Sequence, residues 1–456
     1  MFRHVALATA LAATLAAPLH ASAMDDAELS QIRVEIKQLK EAYESRIQAL
    51  EQRLQAAEGR PAAPARSAAA AASPANAFNP AVSLTLGGTY ANLKRDPAQY
   101  RIQGFIPGGD ESGPGKRSFN LGESELSLSA NVDPHFSGKL TFALNAENQA
   151  SVEEAHFETL GLANGLNLKG GRFLSSIGYL NGQHAHAWDF VDAPLVYKAM
   201  FGGQYKQDGL QLRWLAPTER FLELGIEAGN GNAFPGNDRS KNGIGAVTIF
   251  GHVGDDIGDS ASWRAGVSLL RTASAARNFS DIDHTGTGVT DAFAGDTHLW
   301  AVDGIYKWSP NGNSTRINFK LQGEYFRRKE NGTLTYDTQA QSLGTTLLRY
   351  GGAQSGGYVQ GVFQYAPNWR VGLRLDKLNA VAPSLALAGT ALTSADFRQL
   401  LPYAPTRSSL MFDFSPSEFS RIRLQFAQDK ARPGVTDNQV FLQYIMSLGA
   451  HGAHSF

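Results

Sequence analysis

Five times between residue 81 and the C-terminus, an apolar or aromatic strand end meets Ala-Pro, Ser-Pro or Asp-Pro, turns within a few residues and starts a new alternating strand. The copies read SANVDPHFSGKLTF (129–142), RWLAPTERFLELGI (213–226), YKWSPNGNSTRINF (306–319), QYAPNWRVGLRL (364–375) and FDFSPSEFSRIRLQF (412–426). Proline lacks an N–H and fixes φ, so it suits a tight turn and not a central strand. Short turns on one side, long polar loops on the other and no helical period between them describe an all-β transmembrane barrel.

Composition narrows the alternatives. No run approaches the roughly 18 apolar residues of a membrane-spanning helix, and a barrel needs none, because its strands satisfy one another's backbone groups. The formal net charge of −1 over 456 residues gives no reason to expect a nucleic-acid partner. With no cysteine, neither disulfides, thiolate metal sites nor a lipidated cysteine can exist. The segments GxSxG, HExxH and a phosphate-binding loop in a strand–helix setting are all missing, which argues against an enzyme, and nothing in the chain calls for a cofactor.

Three segments precede the barrel. Residues 1–23 read as a signal peptide: Arg3 and His4, an apolar stretch Val5–Leu19, then the small residues Ala21-Ser22-Ala23. Within 24–58, Leu29, Ile32, Ile36, Leu39 and Tyr43 follow 3-4-3-4 spacing, which Ile47, Leu50, Leu54 and Ala57 resume after one 4-4 step. A stripe this narrow implies a coiled coil that self-associates, and its isoleucines permit a trimer. A single amphipathic helix lying on a surface is the other reading. Residues 59–80, rich in Ala and Pro, form a linker.

Alternation over 81–456 predicts about sixteen antiparallel strands: 81–91, 119–131, 136–146, 152–160, 166–172, 209–215, 220–229, 241–251, 261–270, 298–308, 314–327, 356–365, 369–379, 406–414, 419–428 and 437–448. Trp214, Trp300, Trp308, Tyr365, Trp369, Phe412 and Phe414 fall near strand ends, where interfacial girdles belong. The long connections are then 92–118, 173–208, 271–297, 328–355 and 379–405. The longest, 173–208, which is the third loop on that side in chain order, is too apolar and aromatic to wave in solvent. Folding inward, it would narrow the lumen.

The candidate residues of that constriction are His184, His186, Asp189, Asp192, Lys198 and Lys206. On an extended segment His184 and His186 face the same way, and with Asp189 they suit a zinc-like ion. Hydrogen bonding of the loop to the barrel is the competing explanation, and His451 and His454 form a second cluster. Charged or polar lumen positions include Glu123, Glu125, Lys139, Asn145, Glu147, Glu153, Arg172, Arg213, Arg316, Lys320, Arg370, Arg374, Arg421 and Arg423. Arg421 and Arg423 share one parity, so they should point together and oppose an acidic loop as part of a basic wall.

A signal peptide, a short coiled coil, a sixteen-stranded barrel, an inward third loop and the terminal Phe456 resemble trimeric outer-membrane porins, and within them the phosphate-selective porin O/P family. The resemblance implies residence in outer-membrane lipid, a homotrimer with its coiled coil in the periplasm, and passive diffusion of small hydrophilic solutes or ions. Phosphate selectivity is not carried over, because the third loop sets only Lys198 and Lys206, with Arg172 before it, against Asp189, Asp192 and Asp208. Two alternatives stand beside the channel: uptake of a zinc-like metal or its chelate, and an envelope tether acting through the coiled coil.

Overall fold

The computed structural model describes residues 80–108, 112–146 and 149–449. The signal peptide, coiled coil, linker, Glu147 and terminal histidines read above lie outside the described residues. Sixteen barrel strands run antiparallel: β1 Ala81–Leu93, β2 in two pieces (Ser118–Leu121 and Ser124–Asn131), β3 Phe136–Leu144, β4 Ala150–Thr159, β5 Leu166–Leu174, β6 Lys206–Leu215, β7 Phe221–Gly229 and β8 Ala246–Ile257. There follow β9 Ala261–Ile282, β10 Gly288–Trp308, β11 Asn318–Tyr336, β12 Thr346–Ala366, β13 Trp369–Ala380, β14 Thr406–Ser417, β15 Ser420–Arg432 and β16 Val435–Gly449. A two-residue ribbon, Ser384–Leu385, leans on β12. The ring closes where β1 pairs with β16, from Ser83 opposite Gly449 to Leu93 opposite Gln439.

All five proline turns join strands at one end of this barrel. Asp133 shows how the first works: its carboxylate accepts from the N–H groups of His135 and Phe136, at 2.7 and 2.9 Å, and tightens the turn around Pro134. Asn311 and Asn368, each beside a turn proline, take left-handed φ values of 51° and 70° that asparagine tolerates.

Period-two alternation then sorts the side chains as a lipid-spanning barrel requires. Leu373 faces Leu410, which faces Phe426, on the outer surface, and all three are exposed. Between them in sequence, Arg374, Arg407 and Arg423 are almost completely buried and point inward. The apolar residues lie outside and the charges inside, the reverse of a soluble core. Trp308 marks the turn-side edge of the outer band. Eight residues back along β10, roughly 26 Å at strand rise, Trp300 packs on Tyr325 with ring centroids 5.6 Å apart and marks the other edge.

Two expected loops are strand instead. Of 271–297 only 283–287 connects β9 to β10, and of 328–355 only 337–345 connects β11 to β12. Past the Trp300 level the polarity inverts. Arg327, Lys329 and Asn331 face outward, while Phe279, Val289, Phe293, Leu334, Tyr336, Leu348 and Tyr350 pack inward with Ile106 of the first loop and Leu392, Phe397 and Leu400 of the seventh. These hairpins project into water, so outward apolar alternation does not mark them.

The inversion is testable on single side chains. Leu373→Arg, in the outer band, should cost about 2–4 kcal/mol of unfolding free energy in lipid vesicles. Ser280→Arg, exposed on the projecting part of β9, should stay within about 0.5 kcal/mol of wild type. Urea titrations followed by tryptophan fluorescence would measure both.

Candidate functional site

The third loop, 175–205, folds back against the inner wall, and its neck is tied by one side chain. Asn181 donates to the carbonyls of Ser175 and Tyr205, at 2.8 and 2.7 Å, and accepts from the Tyr205 N–H at 2.7 Å. Two buried wall carboxylates collect the loop's backbone donors. Glu227 accepts from Ser175 Oγ at 2.6 Å and Ser176 N at 2.8 Å. Glu324 accepts from the N–H groups of Tyr179 and Leu180, both at 3.0 Å, and from the Tyr197 hydroxyl at 2.8 Å. The loop then forms one short helix, α1 Leu195–Phe201, every residue of which is buried. Pro194 caps its start, the Leu195 N–H donates to Asp376, and Gly202 at φ 71° ends it. Tyr197 and Phe201 pack edge-on against Phe326.

Charge holds the rest of the loop from two sides. On the basic side, Asp189 pairs with Lys320 and Arg370, the latter at 3.1 Å. Asp192 lies 3.0 Å from Arg374, 2.9 Å from Arg407 and 3.0 Å from Lys198. Arg421 donates to the carbonyl of His186 and Arg423 to that of Trp188, so the two arginines do point together at the loop. On the acidic side, His184 Nδ1 lies 3.0 Å from Glu125 and 3.1 Å from Glu153, its Nε2 lies 2.9 Å from Glu154, and His186 Nδ1 lies 2.8 Å from Glu125. Lys139 completes this cluster by pairing with Glu154.

Burial opposes charge on both sides, and the pairing outweighs it. Burial pushes the His184 pKa down, but its hydrogen bonds to Glu125, Glu153 and Glu154 raise it overall above the usual 6.5, to about 12. Asp192 loses solvation on burial, yet Arg407, Lys198 and Arg374 pull its pKa well below the usual 3.8. Between the loop and the wall formed by β1, β2 and β16 lies a cavity of about 270 Å³, onto which Glu123, Lys116, His186, Asp192, Lys198 and Gln443 open.

Several expected site residues stand elsewhere. Asp189 is with the arginines and not with the histidines; the third group beside His184 and His186 is Glu125. Arg172 shares parity with Leu166 and Leu168, so it faces outward and pairs with Asp208 at 2.6 Å. Lys206 has the outward parity of Leu210 on β6. Arg316 is exposed in the β10–β11 turn. Arg213 does face the lumen, between Glu158 at 3.1 Å and Glu223 at 3.5 Å. Arg407 and Glu324 were missed, although each has the inward parity of its strand. Glu154 was hidden, because alternation that sends Glu153 inward should send its neighbour out. A β-bulge at this point, where Thr141 faces Glu154 and Phe142 faces Val152, turns both carboxylates inward.

The geometry defines a closed sixteen-stranded β-barrel with a loop packed inside it, and a solved outer membrane protein agrees on the barrel. The loop L8 deletion mutant of OmpT, an outer membrane protein of Vibrio cholerae, superposes with a TM-score of 0.50 at 12% identity, over 81% of this chain and 99% of that one. The outer membrane channel DcaP of Acinetobacter baumannii gives 0.47 at 14% identity, over 81% and 96%. No family model matches. An uncharacterized protein of Aquifex aeolicus (strain VF5) is 33% identical over 408 residues, 83% of this chain and 80% of that one, and the chain belongs to its family.

Removing one partner of a buried ion pair costs about 3–5 kcal/mol. Asp192→Asn takes from Lys198 its carboxylate partner and from Arg374 and Arg407 one of two, Asp376 and Asp429 remaining, and should make 175–205 cleavable by added protease while the barrel stays intact. The pH response follows from the sign of the shift. The folded pKa lies below the unfolded 3.8, so this stabilisation is complete above that value and is lost as pH falls through the depressed one. Loop protection in the wild type should therefore be flat from neutral pH down to about 4 and fail only in stronger acid.

Proposed function

We propose that this chain is an outer-membrane porin, a passive diffusion channel for small hydrophilic solutes or ions in which the third loop forms the constriction. The observation that carries the reading is the cavity left between the inward loop and the wall of β1, β2 and β16, edged by side chains of both charges. A hydrated lumen needs such a lining, and a loop pinned by buried ion pairs sets its width. The outer apolar band supports residence in membrane lipid, and the outer membrane proteins among its structural neighbours support the outer membrane as its place. A channel rather than an enzyme is the simplest use of this arrangement, in which most of the loop's charged groups are spent on holding it. The same proposal includes a homotrimer with residues 24–58 as a periplasmic coiled coil. Deletion of 25–58 should then leave conductance intact, whereas the tether reading expects the same deletion to lose an envelope phenotype.

Selectivity follows from the lining. Lys116 and Lys198 face Glu123 and Asp192, and the wall arginines are compensated by Asp189, Asp192 and Asp413. Purified protein in a planar bilayer should give discrete conductance steps and a reversal potential near zero under a salt gradient. Glu123→Lys should move that potential toward anion selectivity. Folded protein that never conducts would refute the channel.

A further inference from the structure

The acidic side of the loop is built like a metal site. Ligand atoms of Glu125, His184 and His186 all lie within 4.8 Å of one another, and Glu123, Glu125 and Glu153 form a second such group that shares Glu125. The two imidazoles stack with centroids 5.6 Å apart and turn their Nδ1 atoms to opposite oxygens of the one Glu125 carboxylate. Glu153 lies 3.1 Å from His184 Nδ1. An ion bound 2.0–2.2 Å from each donor needs this kind of convergence.

A second observation is independent of the cluster's composition. A metal-ligating histidine usually gives its other ring nitrogen to a carboxylate that sets its tautomer and orientation. Here Glu154 takes that place, 2.9 Å from His184 Nε2, and Lys139 holds Glu154 in turn. Regular alternation cannot supply both carboxylates, and β4 breaks its register at this one point to do so. Bulges of this kind re-aim side chains at functional sites. Glu153 is thereby presented to Nδ1 of the imidazole and Glu154 to Nε2, and both are buried. His186 and Glu123 open on the lumen cavity, which provides a route in.

We propose that His184, His186 and Glu125, with Glu153 beside them, bind one divalent transition-metal ion of the zinc class in the barrel interior, and that Glu154 is the positioning residue for His184. Imidazole with carboxylate selects zinc, nickel or cobalt over calcium or magnesium. The site requires the fold alone and not conduction, so it stands or falls separately from the channel.

The test uses the purified full-length barrel in detergent, titrated with zinc by calorimetry and with cobalt by visible absorption. Wild type should bind one zinc per chain, and bound cobalt should show ligand-field bands. His184→Gln/His186→Gln should lose the bands and weaken zinc at least tenfold. Glu154→Gln, which keeps every ligand, should weaken zinc about tenfold or more. His451→Ala/His454→Ala should bind as wild type does. Unchanged affinity in the double glutamine variant, or loss of zinc in the terminal-histidine variant, would overturn the site. Circular dichroism of each variant would verify the barrel. If the double variant fails to fold, Glu154→Gln decides: wild-type affinity there counts against the proposal.

Discussion

The inner wall of this barrel carries opposite charges on different arcs, and the third loop answers each with its complement. His184 and His186 meet Glu125, Glu153 and Glu154 of β2 and β4, while Asp189 and Asp192 meet Lys320, Arg370, Arg374 and Arg407 of β11, β13 and β14. Away from bulk water such charges are costly unless paired. Pairing across the loop therefore fixes its path more firmly than apolar packing alone, and the path sets the shape of the remaining space.

Two kinds of anchor share the work. Glu227 and Glu324 gather backbone N–H groups and hydroxyls, which are neutral, and together with Asn181 they define where the loop leaves and rejoins the wall. The ion pairs act further along, between His184 and Lys198. The helix between Pro194 and Gly202 is too short to stand alone. It persists because all of its residues are buried and Asp376 receives its first N–H. Local propensity contributes little here; the surrounding wall supplies the stability.

Much of the architecture was legible because a lipid-facing barrel has a simple code. Pairs such as Leu373 and Leu375, or Leu410 and Phe412, mark the outward parity, and the proline turns give the strand direction. The same code failed where the solvent changed. Beyond Trp300 the outer face meets water, Arg327 and Lys329 replace leucine, and apolar residues turn inward, so these strands carry the polarity of a loop on their outer face. Arg172 and Lys206 border the loop in sequence but follow the parity of β5 and β6, which turns both outward. Glu154 shares the inward parity of His156 and Glu158, and only the bulge, which leaves Glu153 unpaired, lets its neighbour turn inward as well.

The sequence by itself determined the strand ladder, its direction and the residues that face lipid, because side-chain alternation and proline are local properties. It also marked the third loop as the segment with a task, since so apolar a connection must be covered. Only the tertiary structure decided which charges meet. Glu125 and Glu154 lie thirty and more residues from His184, and Arg407 lies more than two hundred from Asp192. Their partnership depends on closure of the ring, on the bulge in β4 and on the route of the loop, and none of these is written in a local pattern.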